Sequence, residues 1–175
     1  MYRKNVCVII FNEELKFMAC QRVREEKLQF VQGGVESDDV DLLQAALREV
    51  EEEIGLCPND LSFVGEIKPP SGDPREFRYT LRPNANLRRF GYVGQEQRLM
   101  LFYAPASCIE KVRLVPPPES GAQQEFSRVE WMAIENIIRF CPSEKQHIFA
   151  AVARLAPPMA SAFLKNSTNP PHSTL

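Results

Sequence analysis

Residues 48–56 read Arg48-Glu49-Val50-Glu51-Glu52-Glu53-Ile54-Gly55-Leu56, and they follow a Gly33-Gly34 pair. At about 100° per residue, Leu42, Leu43, Ala46, Leu47, Val50 and Ile54 fall in one broad apolar sector of a helix over residues 41–54. That face is expected to be buried. Glu49, Glu52 and Glu53, at i, i+3 and i+4, converge on the adjacent sector, while Glu51 points elsewhere. Asp38, Asp39 and Asp41 stand near the positive end of the helix dipole, Gly55 supplies the stop, and Pro58 opposes continuation. Like charges at this spacing destabilise a helix by about 0.2–0.5 kcal/mol per pair, and by more where water is partly excluded. A hard divalent cation, Mg²⁺ or Mn²⁺, would remove that penalty, because such ions take oxygen ligands and keep positions open for water and phosphate. Taken alone, the carboxylates also fit a solvated acidic face; Gly33-Gly34, Arg48 and Gly55 favour the metal reading.

Working outward, residues 6–11 and 17–23 are apolar runs separated by Asn12-Glu13-Glu14, which predicts an opening strand hairpin. A short extended piece over 28–31 leads into Gly33-Gly34. Residues 61–67 read as a strand, 69–86 as a loop containing Pro, Arg and Gly, 98–104 (RLMLFYA) as a central strand, and 126–132 as another. Ser143 and Gln146 form a capping-box signature for a last helix through Leu155, with Ile148, Val152 and Leu155 as its apolar stripe. Pro157-Pro158 is expected to end it. The order of strands, helix, strands and helix predicts an α/β fold, a sandwich in which helices cover a mixed sheet. Residues 1–156 are expected to form the domain and 157–175 a disordered tail.

The 175 residues are 44% hydrophobic and 25% charged, a balance typical of one globular domain rather than a disordered or fibrous chain. With 21 Lys+Arg against 23 Asp+Glu, whole-chain charge argues against a general nucleic-acid or membrane-surface binder, so any phosphate contact must come from a local basic patch. No apolar run is read as reaching the roughly 18 residues of a membrane span, and the N-terminal apolar stretch is too short for a signal peptide. No membrane partner is expected. Cys7, Cys20, Cys57, Cys108 and Cys141 are odd in number and widely spaced, which fits a reducing compartment and neither a disulfide framework nor a zinc site. His147 and His172 are the only histidines, so no nucleophilic triad is expected.

The pattern from Gly33 to Leu56 resembles the signature of the Nudix hydrolases, G-x5-E-x7-R-E-U-x-E-E-x-G-U with U aliphatic. The resemblance implies a Nudix-type α/β/α sandwich with a mixed sheet, in which the signature forms a loop and helix holding divalent metal. It further implies hydrolysis of a nucleoside diphosphate linked to another group. By position, Glu49, Glu52 and Glu53 match the family's metal-binding glutamates, Arg48 the arginine that orients them, and Gly33 a backbone contribution to the metal loop. This chain has one residue more than the pattern between Gly33 and Arg48: the family's first glutamate falls on Asp39 counted forward and on Val40 counted back. Asp39 or Asp41 is expected to take its place.

Beyond the signature, the chain is similar to the branch of RNA 5′-pyrophosphohydrolases and plant-type diadenosine tetraphosphate hydrolases. Tyr2-Arg3-Lys4-Asn5-Val6, Gln29-Phe30-Val31-Gln32-Gly33-Gly34, Gly94-Gln95-Glu96-Gln97-Arg98, Glu125-Phe126 with Trp131, and Lys145 carry that likeness. It implies Glu125 as a fourth metal ligand or water-orienting carboxylate, and Arg3, Arg22, Gln32 and Lys145 as substrate contacts. Arg or Lys would cover phosphate oxygens that metal leaves free. Arg75, Arg78, Arg82, Arg88 and Arg89 form a second basic group, and Phe77, Tyr79, Phe90 and Tyr92 are either base platforms or packing residues. Leu28 replaces the branch's Trp and Val31 its Pro. Glu144 stands where RNA-directed bacterial members carry a base-stacking aromatic.

The expected reaction is metal-dependent attack of water on a polyphosphate anhydride, first of all conversion of diadenosine tetraphosphate to ATP and AMP. Removal of pyrophosphate from an RNA 5′ end, or cleavage of polyphosphate, is the alternative; a non-catalytic nucleotide- or RNA-binding subunit is a third reading, opposed by the intact glutamates. One of these carboxylates or Glu119 would accept the proton. The expected location is the cytoplasm, with a peroxisome-like organelle such as the glycosome as the alternative through Ser173-Thr174-Leu175. The sequence carries no signal for an oligomeric state.

Overall fold

The computed structural model describes residues 1–168. In chain order these form β1 (Tyr2–Phe11), β2 (Phe17–Arg22), β3 (Leu28–Gln29), β4 (Val31–Gly34), α1 (Leu42–Ile54), β5 (Ser62–Ile67), β6 (Arg78–Thr80), β7 (Gly94–Tyr103), β8 (Phe126–Met132), α2 (Ile134–Arg139) and α3 (Gln146–Thr168). The sheet is mixed. β1 and β7 pair in parallel from Tyr2↔Gly94 to Phe11↔Tyr103, while β5 and β6 add antiparallel to β7, and β3 and β8 to β2. The middle of β1 also pairs with β4, from Asn5↔Gly34 to Val8↔Val31, which carries the two glycines beside α1.

The continuous apolar run of β1 reflects burial on both faces, as expected of a strand covered on two sides. Cys7, Ile9 and Phe11 join a core with α2 and α3, including Ile137, Ile148, Phe149 and Val152. Val8 and Ile10 face the other way, onto Ala46, Val50 and Ile54 of α1. Helices on both faces of a mixed sheet bear out the expected α/β/α sandwich.

Helix α1 starts and stops for the reasons its sequence suggests. Asp41 is the N-cap and accepts the Gln44 N–H at 2.8 Å, while Gly55, at φ 76°, takes the left-handed cap and donates to the Val50 and Glu51 carbonyls. The Gln44 side chain reaches back to accept the Val40 N–H at 2.6 Å. Val40 itself is 86% exposed, so the extra residue of the signature is extruded into solvent between two aspartates with separate tasks.

Several boundaries differ from expectation. β7 begins at Gly94, earlier than the apolar run, because buried Gln95, Glu96 and Gln97 continue the strand with cross-strand side-chain bonds, Gln97 Oε1 alone among them lying buried without a partner. The predicted 69–86 loop contains a 3₁₀ turn, Pro74–Phe77, and β6, and α2 was not foreseen. Ser143 forms no capping box: Ser143–Lys145 is a 3₁₀ turn, and Ser143 offers only its carbonyl to the Gln146 N–H. Pro157 and Pro158 do not end α3, which runs on to Thr168. Burial of Ala156 and Ala160, with Met159, Phe163 and Leu164 packed on the same core, offsets the missing proline donors. Residues 157–168 are therefore part of the folded unit rather than a tail. The remainder of the expected tail, with Asn169-Pro170-Pro171-His172 and Ser173-Thr174-Leu175, lies outside the described residues.

The helical segment Ser143–Ser167 is long and apolar enough to cross a membrane by length and composition alone, with a mean hydropathy of 1.3, contrary to the reading of its sequence. The core helix of a globular domain meets the same measure, and one face of this helix is buried against the sheet.

Candidate active site

Arg48 is the hub of the signature. Its guanidinium donates from Nε and Nη2 to the two oxygens of Asp39 at 3.0 and 2.8 Å, and from Nη2 to the Gly34 carbonyl at 3.0 Å. Nη1 donates to Glu49 Oε1 at 2.8 Å and lies 3.5 Å from Glu52. One rigid fork thus ties the glycine loop, the helix and the aspartate together. The expected arginine partner is Asp39, not Asp41, which is occupied as the helix cap. Asp39 is held below the usual carboxylate range, chiefly by its bond from Arg48.

Glu49 and Glu53 meet one helical turn apart on the inner side of α1. Gly33 lies against the Glu49 carboxylate so closely that a Cβ there would collide with it. Burial pushes the Glu53 carboxyl up to about 9, helped by the neighbouring Glu49 and Glu125 charges, and burial also raises Glu49. Glu53 Oε2 is buried without a hydrogen-bond partner. Glu125, just before β8, faces Arg22 at the end of β2, with Arg22 Nη2 3.0 Å from its Oε1. Glu52 is different: its side chain is 58% exposed and turned toward Arg48. Among the described residues no three His, Cys, Asp or Glu side chains already stand in metal-holding geometry.

Arg3, Arg22, Gln32, Gly33, Glu49, Glu53 and Glu125 line a single cavity of ≈ 290 Å³. Most of the expected site residues are thereby brought together. Arg48 and Glu52 lie behind that wall, on the outer side of α1. Lys145 lines an adjoining chamber, 5% exposed; its Nζ donates to Gln29 Oε1 at 2.6 Å and sits 4.8 Å above the Tyr79 ring. Burial lowers its pKa to about 8.

Beneath the cavity is a polar floor that residue-type reasoning did not single out. Asn5 Nδ2 donates to Gln95 Oε1 at 2.9 Å, and Gln97 Nε2 donates to Asn5 Oδ1 at 3.0 Å and to Gln32 Oε1 at 2.6 Å. Arg3 Nη1 reaches Gln95 Oε1 at 3.4 Å, and its guanidinium lies against Gly34, where a Cβ would not fit. The readable signal was the alternation of Gln95 and Gln97 ahead of an apolar strand paired in register with Asn5. With its oxygen occupied, the Gln32 amide keeps donors for the cavity.

Other candidates fall away from the site. Glu119 is exposed in the turn Pro118–Ser120 and is not among the residues lining the cavity. His147 Nε2 is bonded to the Arg78 carbonyl at 2.7 Å on the helix surface. Phe77 and Tyr79 are buried and Tyr92 is packed on the core, leaving Phe90, 71% exposed, as the one solvent-facing ring of the four. All five cysteines are free thiols.

The NUDIX domain model matches residues 1–152. The RNA pyrophosphohydrolase of Halorhodospira halophila is 33% identical over 145 residues, spanning 79% of this chain and 73% of that protein. That of Hydrogenovibrio crunogenus is 32% identical over 143 residues, spanning 79% and 81%. Among solved structures, the Ap4A hydrolase of C. elegans in a binary complex superposes with a TM-score of 0.55 at 17% identity, covering 94% of this chain and 98% of that one. The MutT protein of Methanosarcina mazei gives 0.55 at 18%, covering 87% and 94%. At such identities the structural likeness speaks for the fold.

Proposed function

Because the chain belongs to the NUDIX domain family and is a pyrophosphohydrolase, we propose that it removes pyrophosphate from the triphosphorylated 5′ end of RNA, with Mg²⁺ or Mn²⁺ held by the glutamates of α1. The observation that carries the hydrolytic reading is the single cavity in which Glu49, Glu53 and Glu125 face Arg3 and Arg22. Acidic groups that need a cation and basic groups that suit phosphate oxygens share one wall. The substrate is argued from the relatives named RNA pyrophosphohydrolase at about a third identity. Diadenosine tetraphosphate, the first expectation from sequence, is supported by structural neighbours at 17% and 18% identity, and so becomes the competing substrate.

The donor set suits a hard cation. Every candidate ligand is oxygen, Glu53 Oε2 is a buried acceptor with nothing to accept from, and the absent side chain of Gly33 leaves room at the Glu49 carboxylate. Glu49 and Glu53 are already together; Glu52 and Glu125 would complete the set by releasing Arg48 and Arg22. Bound there, the metal would polarise the attacking water and offset charge on the departing phosphate. Arg48 holds Glu49 at its place on the helix. Arg22, freed from Glu125, and Arg3, steadied by Gln95, are positioned to bind phosphate oxygens, and the Gln32 amide offers uncharged donors between them.

The test is a comparison of kcat/KM for triphosphorylated RNA, diadenosine tetraphosphate and inorganic polyphosphate with Mg²⁺ present. Pyrophosphate release from RNA with the highest value is expected. A higher value on diadenosine tetraphosphate would return that substrate to first place, and turnover undiminished by EDTA would reject the metal assignment.

A further inference from the structure

The carboxylate cavity adjoins a second chamber of ≈ 400 Å³, and the two share Arg22, Gln29, Gln32, Leu87 and Gln95 as common walls. A triphosphate lying along the glutamates therefore leads its nucleoside into this outer space. Leu81 and Leu87 give the chamber apolar surface, Asn84 a polar edge, and Arg22, Arg82 and Lys145 its cations, set against the carboxylates of Glu25 and Glu144. Glu144 sits in the turn before α3. Its Oε1 accepts from Arg82 Nε at 3.2 Å, an ion pair between segments 62 residues apart. No other hydrogen bond or ion pair involves that carboxylate among the described residues, so Oε2 remains free to accept.

An anionic group beside a polyphosphate site is a poor choice for holding more phosphate. It suits neutral hydrogen-bond donors, since an ionised carboxylate only accepts. Of the four bases, guanine alone presents two neighbouring donors, N1–H and the N2 amine, on its pairing edge. Adenine presents one amine beside the N1 lone pair, which would face the carboxylate oxygen and be repelled. We infer that Glu144, steadied by Arg82, is a specificity-determining residue that reads the first base of the substrate and selects guanine over adenine. The inference rests on the RNA-end reading for its substrate, and on the chamber for its chemistry.

Two triphosphorylated RNAs differing only in a 5′ G or A, assayed with wild type and Glu144→Gln, test it. The ratio of kcat/KM values within each variant cancels any loss of folded protein. Wild type should favour G by about tenfold or more, because a site that accepts hydrogen bonds from a base rejects the analogue that lacks those donors. In Glu144→Gln the side-chain amide both donates and accepts, matching adenine, so the ratio should fall to about one or invert. Equal turnover of the two RNAs by wild type, or an unchanged ratio in Glu144→Gln, overturns the assignment. Metal-free binding of GMP against AMP gives the second readout: tighter GMP binding supports the base reading even if neither RNA is hydrolysed, an outcome that would sink only the proposed substrate. Equal binding of GMP and AMP refutes it.

Discussion

Glu53 shows how one side chain couples stability to function. Its folded-state pKa, about 9, lies above the ordinary carboxylate value because burial and the Glu49 and Glu125 charges penalise ionisation. The folded protein therefore binds a proton that the unfolded chain releases. In linkage terms this stabilisation is fully present below the unfolded value of 4.5 and is lost as pH rises toward 9. The Tm of metal-free protein, followed in EDTA from a pH of about 5 to about 9, should fall, and Glu53→Gln should flatten that slope. An equal slope in the variant would show that Glu53 is not the titrating group. The same substitution should cut turnover by about a hundredfold or more, since it removes charge and keeps shape at a site that needs a cation. Activity within tenfold of the parent would remove Glu53 from the metal set.

At the scale of elements, legibility followed burial. The core-facing stripe of α1, the apolar runs of β1 and β7, and the Gly55 stop could be read directly, because each rests on periodicity or on a residue's own backbone preference. What was hidden depends on partners distant in sequence. Gln95 and Gln97 look like loop residues until Asn5 and Gln32 are seen to bond them across the sheet, and the Asp39 pairing is indistinguishable from an Asp41 pairing until the extruded Val40 is seen. In the site, the helical glutamates were legible for the same local reason, whereas the turning of Glu52 to Arg48 was not. The prolines of α3 misled most. Their local cost is real, yet Phe163 beyond them packs edge-on to Phe11, at 6.0 Å between centroids, and against Tyr103 at 5.4 Å. Phe163→Ala should therefore lower unfolding stability by about 1–3 kcal/mol, less than for a fully buried ring, measured by urea denaturation. Truncation after Ala156 should cost more still. Unchanged stability in both would restore the view of residues 157–168 as a dispensable tail.

Across the whole molecule, charge limits how substrate can be held. The net charge is −2, and the arginines of the 75–89 segment are largely engaged. Arg75 pairs with Asp73, Arg78 with Glu96 and Arg82 with Glu144, while Arg88 donates to the Leu81 and Arg82 carbonyls. Arg89 is exposed and has no such partner among the described residues. At the cleft itself, phosphate would be met by Arg3, by Arg22 once released from Glu125, and by the nearby Lys145. On the proposed function, a protein built this way would grip an RNA end and offer little track for the RNA body. Affinity that comes from neutralised phosphates falls with salt in proportion to their number. The slope of log kcat/KM against log salt should accordingly be no steeper than about −3, and a triphosphorylated trinucleotide should be hydrolysed within about threefold of a long transcript of the same 5′ sequence. A slope near −6, or a large advantage for the long RNA, would require a phosphate-binding surface that these ion pairs do not leave open.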